Sequence, residues 1–368
     1  MTIDTRPDPL AAHLAGSPEV DWREPHLRRG VFLDFYDFHT RYGAHPGGVY
    51  FLIPYLRDAF GWTDEELFWF CFLNGNTQNP LTSYLLWRVA PTPRQADALG
   101  PWFNANYGNL AFDTDRRHHK THLLAAVDGY RSMVGDVPQR KFWNDAAAGG
   151  FAGLWAVGSS IPFFGRLSTW SYMDYLHIAG VAVNCDTLML DDMSGSKSHR
   201  NGIAKVSGND QWDWHQSNPD FDGHYDQEML GYLDNYAWGL LAQAQQRAAP
   251  AYARDVTLLT LESGLCTYKS WYRRRRYPNV YMDMMYDRIT QSERRWPEVD
   301  FGLFWQARRD RLPPHLLLEE NPGDPGVKPV KQSWFAETGQ VIMMEHEHPV
   351  YVNEYATAVA ENRWGTFR

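Results

Sequence analysis

The sequence predicts a mainly α fold, a helical bundle-like body with a less regular C-terminal extension, and two observations carry that expectation. Helix-start and helix-stop residues recur along most of the chain, bracketing apolar residues that return every three or four positions. Sustained apolar–polar alternation, the mark of a half-buried strand, is scarce until "GQVIMMEHEHPVYV" near the end.

Taken in order, residues 1–28, with scattered Pro, Asp and Arg, read as a loosely ordered lead-in. "WTDEELFWFCFLNG" offers Thr63 as N-cap and Glu66 three residues later, a capping box ahead of an apolar face. "TPRQADALGPWF" repeats the device, with Thr92 as cap, Pro93 at the first helical position and Gln95 closing the box. "RHHKTHLLAAVDGYRSMVG", "KFWNDAAAGGFAGLWAVG" and "LSTWSYMDYLHIAG" continue the helical pattern, the last stopped by Gly180. Four more helical stretches follow: "DQEMLGYLDNYAWGLLAQAQQRA", "DVTLLTLESGLCTYKSWY", "VYMDMMYDRITQSERRW" and "DFGLFWQARRDRL". The Pro/Gly-rich "LPPHLLLEENPGDPGVKP" marks the boundary. One helical catalytic body over 29–311 and an extension over 312–368 that packs back on it are expected.

Composition narrows the function classes. Hydrophobic residues at 44% and charged residues at 21% are ordinary for a folded soluble chain. A net charge of −9 argues against binding nucleic acid by global charge, although a local basic cleft is compatible with it. Aromatic residues reach 15%, enough to fill a core and still supply stacking surfaces. Cys71, Cys185 and Cys266 form no C-x-x-C pair, which disfavours a disulfide framework and a cysteine zinc site. With no signal pattern and no apolar run long enough for a bilayer, a soluble cytoplasmic protein without a membrane partner is expected.

Four stretches carry candidate chemistry. In "LNGNTQNPLTSYLLWR", Asn74, Asn76, Gln78 and Asn79 cluster between two apolar helices. Such a turn caps the helix starting at Pro80, and its amides also suit a base edge or a phosphate. In "GRLSTWSYMDYLHIAG", Arg166 stands just ahead of a helix, where an anion would be met.

"DDMSGSKSHRNGIAKVSG" is the densest. It lacks the Walker pattern, yet Ser194, Ser196 and Ser198 with Lys197, His199, Arg200 and Asn201 supply hydroxyls, amide donors and positive charge for a phosphate or pyrophosphate. Asp191 and Asp192 could hold Mg2+ or accept a proton from a nucleophile. The plain alternative is a solvated loop with an Asp–Arg pair. In "CTYKSWYRRRRYPNVYMDMMYDR", Lys269 and Arg273, Arg274, Arg275 and Arg276 are interleaved with Trp271, Tyr272 and other aromatics, the pattern for backbone contact with base stacking. His346 and His348 in "EHEHP" lack an identifiable third metal ligand, and "RRHHK" at 116–120 reads as a helix surface.

"FLNGNTQNPLTSYLLW", "FGRLSTWSYMDYLHIAG", "DTLMLDDMSGSKSHRNGIAKVSG" and "CTYKSWYRRRRYPNVYMDMMYDRI", in that order, resemble the amino acid:DNA transferase family, the α-glutamyl/putrescinyl thymine pyrophosphorylases. The resemblance runs from about residue 30 to residue 290. It implies a bacteriophage enzyme of thymine hypermodification, on a scaffold related to helical DNA glycosylases. A partner kinase pyrophosphorylates 5-hydroxymethyluracil in double-stranded DNA. The transferase then displaces pyrophosphate with an amino acid or another amine.

That chemistry needs an unstacked base, cationic donors at the leaving group and a base for the ammonium proton. On the resemblance, Lys197, Arg200 and Ser196 would hold pyrophosphate, helped by Arg166. Asp192, ahead of Asp191 and His199, would take the proton. Asn74, Asn76 and Gln78 would read the flipped uracil, and Lys269 with Arg273–Arg276 would follow the DNA backbone. Two alternatives stay open at this level: a base-excision glycosylase using Lys269, Asp283 or Asp287, and a non-catalytic DNA-binding phage accessory protein.

Overall fold

The computed structural model describes residues 25–45, 47–193, 195, 197–214, 220–268 and 284–312. Their regular elements are all helices, and they contain no strand. In chain order the α-helices are α1 (Pro25–Arg41), α2 (Val49–Phe60), α3 (Asp64–Thr77), α4 (Pro80–Val89), α5 (Leu99–Asn106), α6 (Leu123–Val134) and α7 (Gln139–Ala147). They continue as α8 (Gly150–Ser159), α9 (Arg166–Ile178), α10 (Lys197–Val206), α11 (Gln227–Arg247), α12 (Leu258–Tyr268), α13 (Met284–Arg295) and α14 (Gly302–Arg311). The lead-in before Pro25 and the extension beyond Leu312 lie outside the described residues, as do Ser194, Ser196, Lys269, Trp271, Tyr272 and Arg273–Arg276.

Several helices form as their local signals dictate. Thr63 and Glu66 make the reciprocal capping box at α3: the Thr63 hydroxyl accepts from the Glu66 N–H, and Glu66 accepts from the Thr63 N–H at 2.9 Å. Asn79 caps α4, its Oδ1 accepting from the Leu81 and Thr82 N–H groups at 3.1 Å, with Pro80 in the first turn. Gly180, at φ 93, follows the end of α9.

Others depart from expectation. "TPRQADALGPWF" opens as a 3-10 turn, Pro93–Ala98, and turns α-helical only at Leu99, because the Thr92 hydroxyl donates to the Gln95 side chain instead of capping a backbone N–H. The stretch read as one helix around "AAAGGFAG" breaks into α7 and α8 at Gly149–Gly150, where φ is +71 at Gly150. "RHHKTH" folds into short 3-10 turns ahead of α6.

The described residues form two compact units, and the chain passes between them four times. One unit takes in those within 49–186 and 285–308. Its centre is α3, which packs against α4, α7 and α9. Every residue from Leu67 to Thr77 is buried, so the expected single apolar face is in fact a helix enclosed on all sides. Phe68, Trp69, Phe70, Phe72 and Leu73 are fully inaccessible, each contributing roughly 1.5–3 kcal/mol of burial.

The other unit takes in those within 25–48, 187–284 and 309–312, built on α1, α10, α11 and α12. Phe32 meets Tyr268 edge-to-face at 5.2 Å, and the Tyr36 and Thr260 hydroxyls lie 2.6 Å apart. Arg28 holds Asp210 through two bonds of 2.8 and 3.0 Å. α10 meets α12 closely at Gly202, where an added Cβ would stand 2.5 Å from the Leu265 carbonyl oxygen.

Two predictions follow from this packing. Gly202→Ala must push α10 off α12, so unfolding free energy should drop by about 1–3 kcal/mol in a denaturant titration. His45 is fully buried, its ring 4.0 Å from that of His39 and its Nε2 3.0 Å from the Thr40 hydroxyl. Burial first, and the neighbouring His39 second, hold its pKa well below the ordinary value of 6.5. The folded state therefore refuses a proton that the unfolded chain accepts. Stability should be full above pH ~6.5 and fall below it by up to about 1.4 kcal/mol per pH unit for this group, with His45→Gln flattening the slope of urea midpoint against pH.

Candidate functional site

The unit centred on α3 gathers its polar residues where α3 ends. Gln78 terminates α3 in the left-handed region, at φ 49, and its N–H donates to the Asn74 carbonyl at 2.7 Å. Thr114 (φ 52) donates its hydroxyl to Gln78 Oε1. Phe163 (φ 66) lies in the α8–α9 connection. Only four non-glycine residues among those described have positive φ, and three of them are here, each costing about 1–3 kcal/mol.

Arg116 ties the group together. Its guanidinium is buried, donating from Nε to the Asn76 carbonyl (3.1 Å) and from Nη2 to Asn76 Oδ1 (3.2 Å). Nη1 donates to the Phe163 carbonyl (2.7 Å) and to Ser168 Oγ (3.2 Å). Ser168 in turn donates to Asp115 Oδ2 at 3.2 Å. Burial pulls the Arg116 pKa down and Asp115 opposes that shift. On the same side of α3, Arg288 from α13 bonds Asp113 at 2.8 Å and the Gln78 carbonyl at 3.1 Å.

The candidate amides divide by role. Asn76 is engaged at both ends, donating to the Phe72 carbonyl at 3.1 Å and accepting from Arg116. Asn79 caps α4 and donates to Asp113 at 3.3 Å. Asn74 and Gln78 differ: each oxygen accepts a hydroxyl, from Ser83 and Thr114, while Asn74 Nδ2 and Gln78 Nε2 are buried without a partner among the described residues. Arg166 opens α9 half-buried, its guanidinium over the rings of Trp155 (5.7 Å) and Trp170 (4.9 Å).

In the other unit, the segment 191–201 is sorted by depth. Asp191 and Lys197 are exposed, Asp192 and Ser198 half-buried, and His199, Arg200 and Asn201 fully buried. Arg200 Nη1 donates to the carbonyls of Leu190 (2.7 Å) and Asp192 (3.0 Å), and its guanidinium lies 5.0 Å from the Tyr225 ring centre. Asn201 brackets Trp214, donating to its carbonyl and accepting from its N–H, both at 3.0 Å. Lys197 Nζ then sits 4.1 Å above the Trp214 ring. His199 Nδ1 lies 3.1 Å from Glu262 Oε1. No group of three or more His, Cys, Asp and Glu placed to hold a metal ion occurs among the described residues.

Sequence reasoning missed Arg116, Arg288, Asp113, Asp115 and Glu262. "RRHHK" reads as a helix surface, but Arg116 alone of that run is fully buried, through a 3-10 turn with no helical periodicity. Only its place beside the Asn/Gln cluster, visible in three dimensions, identifies it.

The amino acid:DNA transferase family aligns with residues 60–277, and the chain belongs to it. It is also 29% identical over 304 residues to a Salmonella phage ViI protein named serinyltransferase, covering 77% of this chain and 72% of that one. The protein is thus a transferase that places an amino acid on DNA, a base hypermodification. None of its described helices is long and apolar enough to cross a membrane.

Arg116→Lys keeps the charge but loses the planar fork that serves Asn76, Phe163 and Ser168 together. At least two buried acceptors are left unmet, so unfolding free energy should fall by about 2 kcal/mol or more, read from denaturant midpoints.

Proposed function

We propose that this enzyme displaces pyrophosphate from 5-pyrophosphoryloxymethyl-uracil in double-stranded DNA, using the amino group of an amino acid. The name of the Salmonella phage relative makes serine the first candidate. The free amine attacks the exocyclic methylene carbon. A C–N bond forms, the C–O bond breaks, its electron pair leaves with pyrophosphate, and the ammonium proton passes to a protein base. A partner kinase supplies the pyrophosphorylated base.

One observation carries the reading: Asn74 Nδ2 and Gln78 Nε2, two buried amide donors one helical turn apart with no partner among the described residues. An unmet buried donor costs about 1–3 kcal/mol, and a uracil ring, with carbonyl oxygens at two of its edges, offers the acceptors that would repay it. Asn76 and Asn79, their neighbours in sequence, are themselves fixed by Arg116 and Asp113, while Ser83 and Thr114 hold the oxygens of the pair.

The leaving pyrophosphate calls for cations, and Lys197, exposed at the start of α10, is assigned to it, with Ser194, Ser196 and Ser198 as hydroxyl donors. Arg200 acts through the loop, fixing the carbonyls of Leu190 and Asp192. Asp192 is the first choice of base, with Asp191 and His199 behind it. Mg2+ on Asp191 and Asp192 would further offset pyrophosphate charge. Lys269, Trp271, Tyr272 and Arg273–Arg276 are assigned to the DNA backbone and to base stacking.

The test is mass spectrometry of nucleosides from 5-hydroxymethyluracil DNA incubated with a base kinase, ATP, this protein and an amino acid pool. A protein-dependent nucleoside with the mass of 5-hydroxymethyl-deoxyuridine plus serine, less one water, is expected. Lys197→Ala and Asn74→Leu should each lower kcat/KM on that DNA roughly 10- to 100-fold while the chain stays folded. Persistence of the pyrophosphorylated base with every amine tried would refute the reading.

A further inference from the structure

The α8–α9 connection presents an aromatic ring to solvent in a conformation that aromatic residues avoid. Phe163 has φ +66 and is 42% exposed, and Leu167, the second residue of α9, is 45% exposed. The ring is not loose. Its backbone carbonyl is held by the buried Arg116, and its face stacks on the exposed His122 with ring centres 4.3 Å apart and planes within 9°. A buried guanidinium thus maintains a strained backbone so that a bulky apolar side chain faces outward. Packing gains little beyond the His122 stack, and glycine would meet the backbone demand without strain.

One carboxylate, Asp115, reaches this region through Ser168, but the adjoining sequence is poor in acids. The chain holds 44 carboxylates, yet residues 116–127 and 146–173 contain none. Within those carboxylate-free stretches lie Phe163, Leu167, His122, the exposed Arg117 and His118, and the half-buried Arg166. On a protein of net charge −9, this is where a polyanion would be tolerated.

We propose that Phe163 is a stacking wedge for DNA: its ring enters the base stack beside the target, with Arg117, His118 and Arg166 on the flanking phosphates. Apolar wedges that part base steps are a general device of proteins that distort duplexes, and every base offers a π-face. The inference rests on the reading that the chain acts on a base in duplex DNA, and it supplies the means of unstacking that base. Arg116 acts as a positioning residue, reaching DNA only through the Phe163 backbone.

The discriminating variant is Phe163→Gly, which removes the ring and also relieves the backbone. Binding of the full chain to a duplex carrying 5-hydroxymethyluracil next to 2-aminopurine would be followed by anisotropy and by 2-aminopurine fluorescence. Phe163→Gly should melt at or above the wild-type temperature, bind roughly tenfold more weakly and lose the fluorescence rise that marks unstacking. Phe163→Trp should retain both binding and rise. Trp238→Ala, removing an exposed aromatic of α11, should change neither. Phe163→Gly binding within twofold of wild type, with the fluorescence rise intact, would overturn the wedge. So would an equal loss in Trp238→Ala. Failure of wild type to form an adduct, with wedge-dependent unstacking intact, would instead count against pyrophosphate displacement alone.

Discussion

The organisation of the α3-centred unit depends on one buried guanidinium. Arg116 reaches the last turn of α3 through Asn76, the α8–α9 connection through Phe163 and the first turn of α9 through Ser168. A buried arginine is tolerable only when its donors are met with good geometry. Here carbonyls, an amide and a hydroxyl meet them, so the charge is dispersed over dipoles instead of being cancelled by a carboxylate. Asp115 is one step removed, through Ser168. The result is a rigid hub that fixes three chain segments without using up a negative charge.

The other unit solves a related problem differently. Its polar segment from Asp191 to Asn201 follows an apolar lead and would wander if solvated throughout. Arg200 and Asn201 are spent inwardly, on the carbonyls of Leu190 and Asp192 and on the backbone of Trp214. Gly202 lets α10 approach α12 closely, setting His199 against Glu262. Asp191 and Lys197 are left at the surface, where chemistry has access. Arg200 and Asn201 therefore serve to hold the exposed groups of that segment still.

The helical class was legible because capping is local: Thr63 with Glu66, and Asn79 with Pro80, need only three or four neighbouring residues to declare themselves. The enclosure of α3 was not, because whether the far side of a helix meets α7 and α9 depends on topology that no window of sequence contains. The same limit separates Asn74 from Asn76 in the candidate site. Both were singled out as one cluster, yet Arg116, forty residues away, takes the carbonyl and amide oxygen of Asn76 and leaves the Asn74 donor unmet. Arg116 itself carried no sequence signal, since "RRHHK" reads as surface until a 3-10 turn rotates one side chain inward.

Backbone strain is concentrated in the α3-centred unit, and two unpartnered amide donors lie beside it. Gln78, Thr114 and Phe163 are left-handed, and Asn74 and Gln78 each bury an unpartnered donor. Such features cost of order a kilocalorie per mole each and persist only where the surroundings over-determine them. The surroundings here are a helix buried along its length from Leu67 to Thr77 and the stacked rings of Phe72 and Tyr130, 4.0 Å apart, beside it. A site that must hold a base outside its stack needs donors waiting before the substrate arrives, because donors satisfied by the protein would have to be released first. On the function proposed above, the unmet groups at the end of α3 would meet that requirement, and the burial along α3 is what allows them to stay unmet.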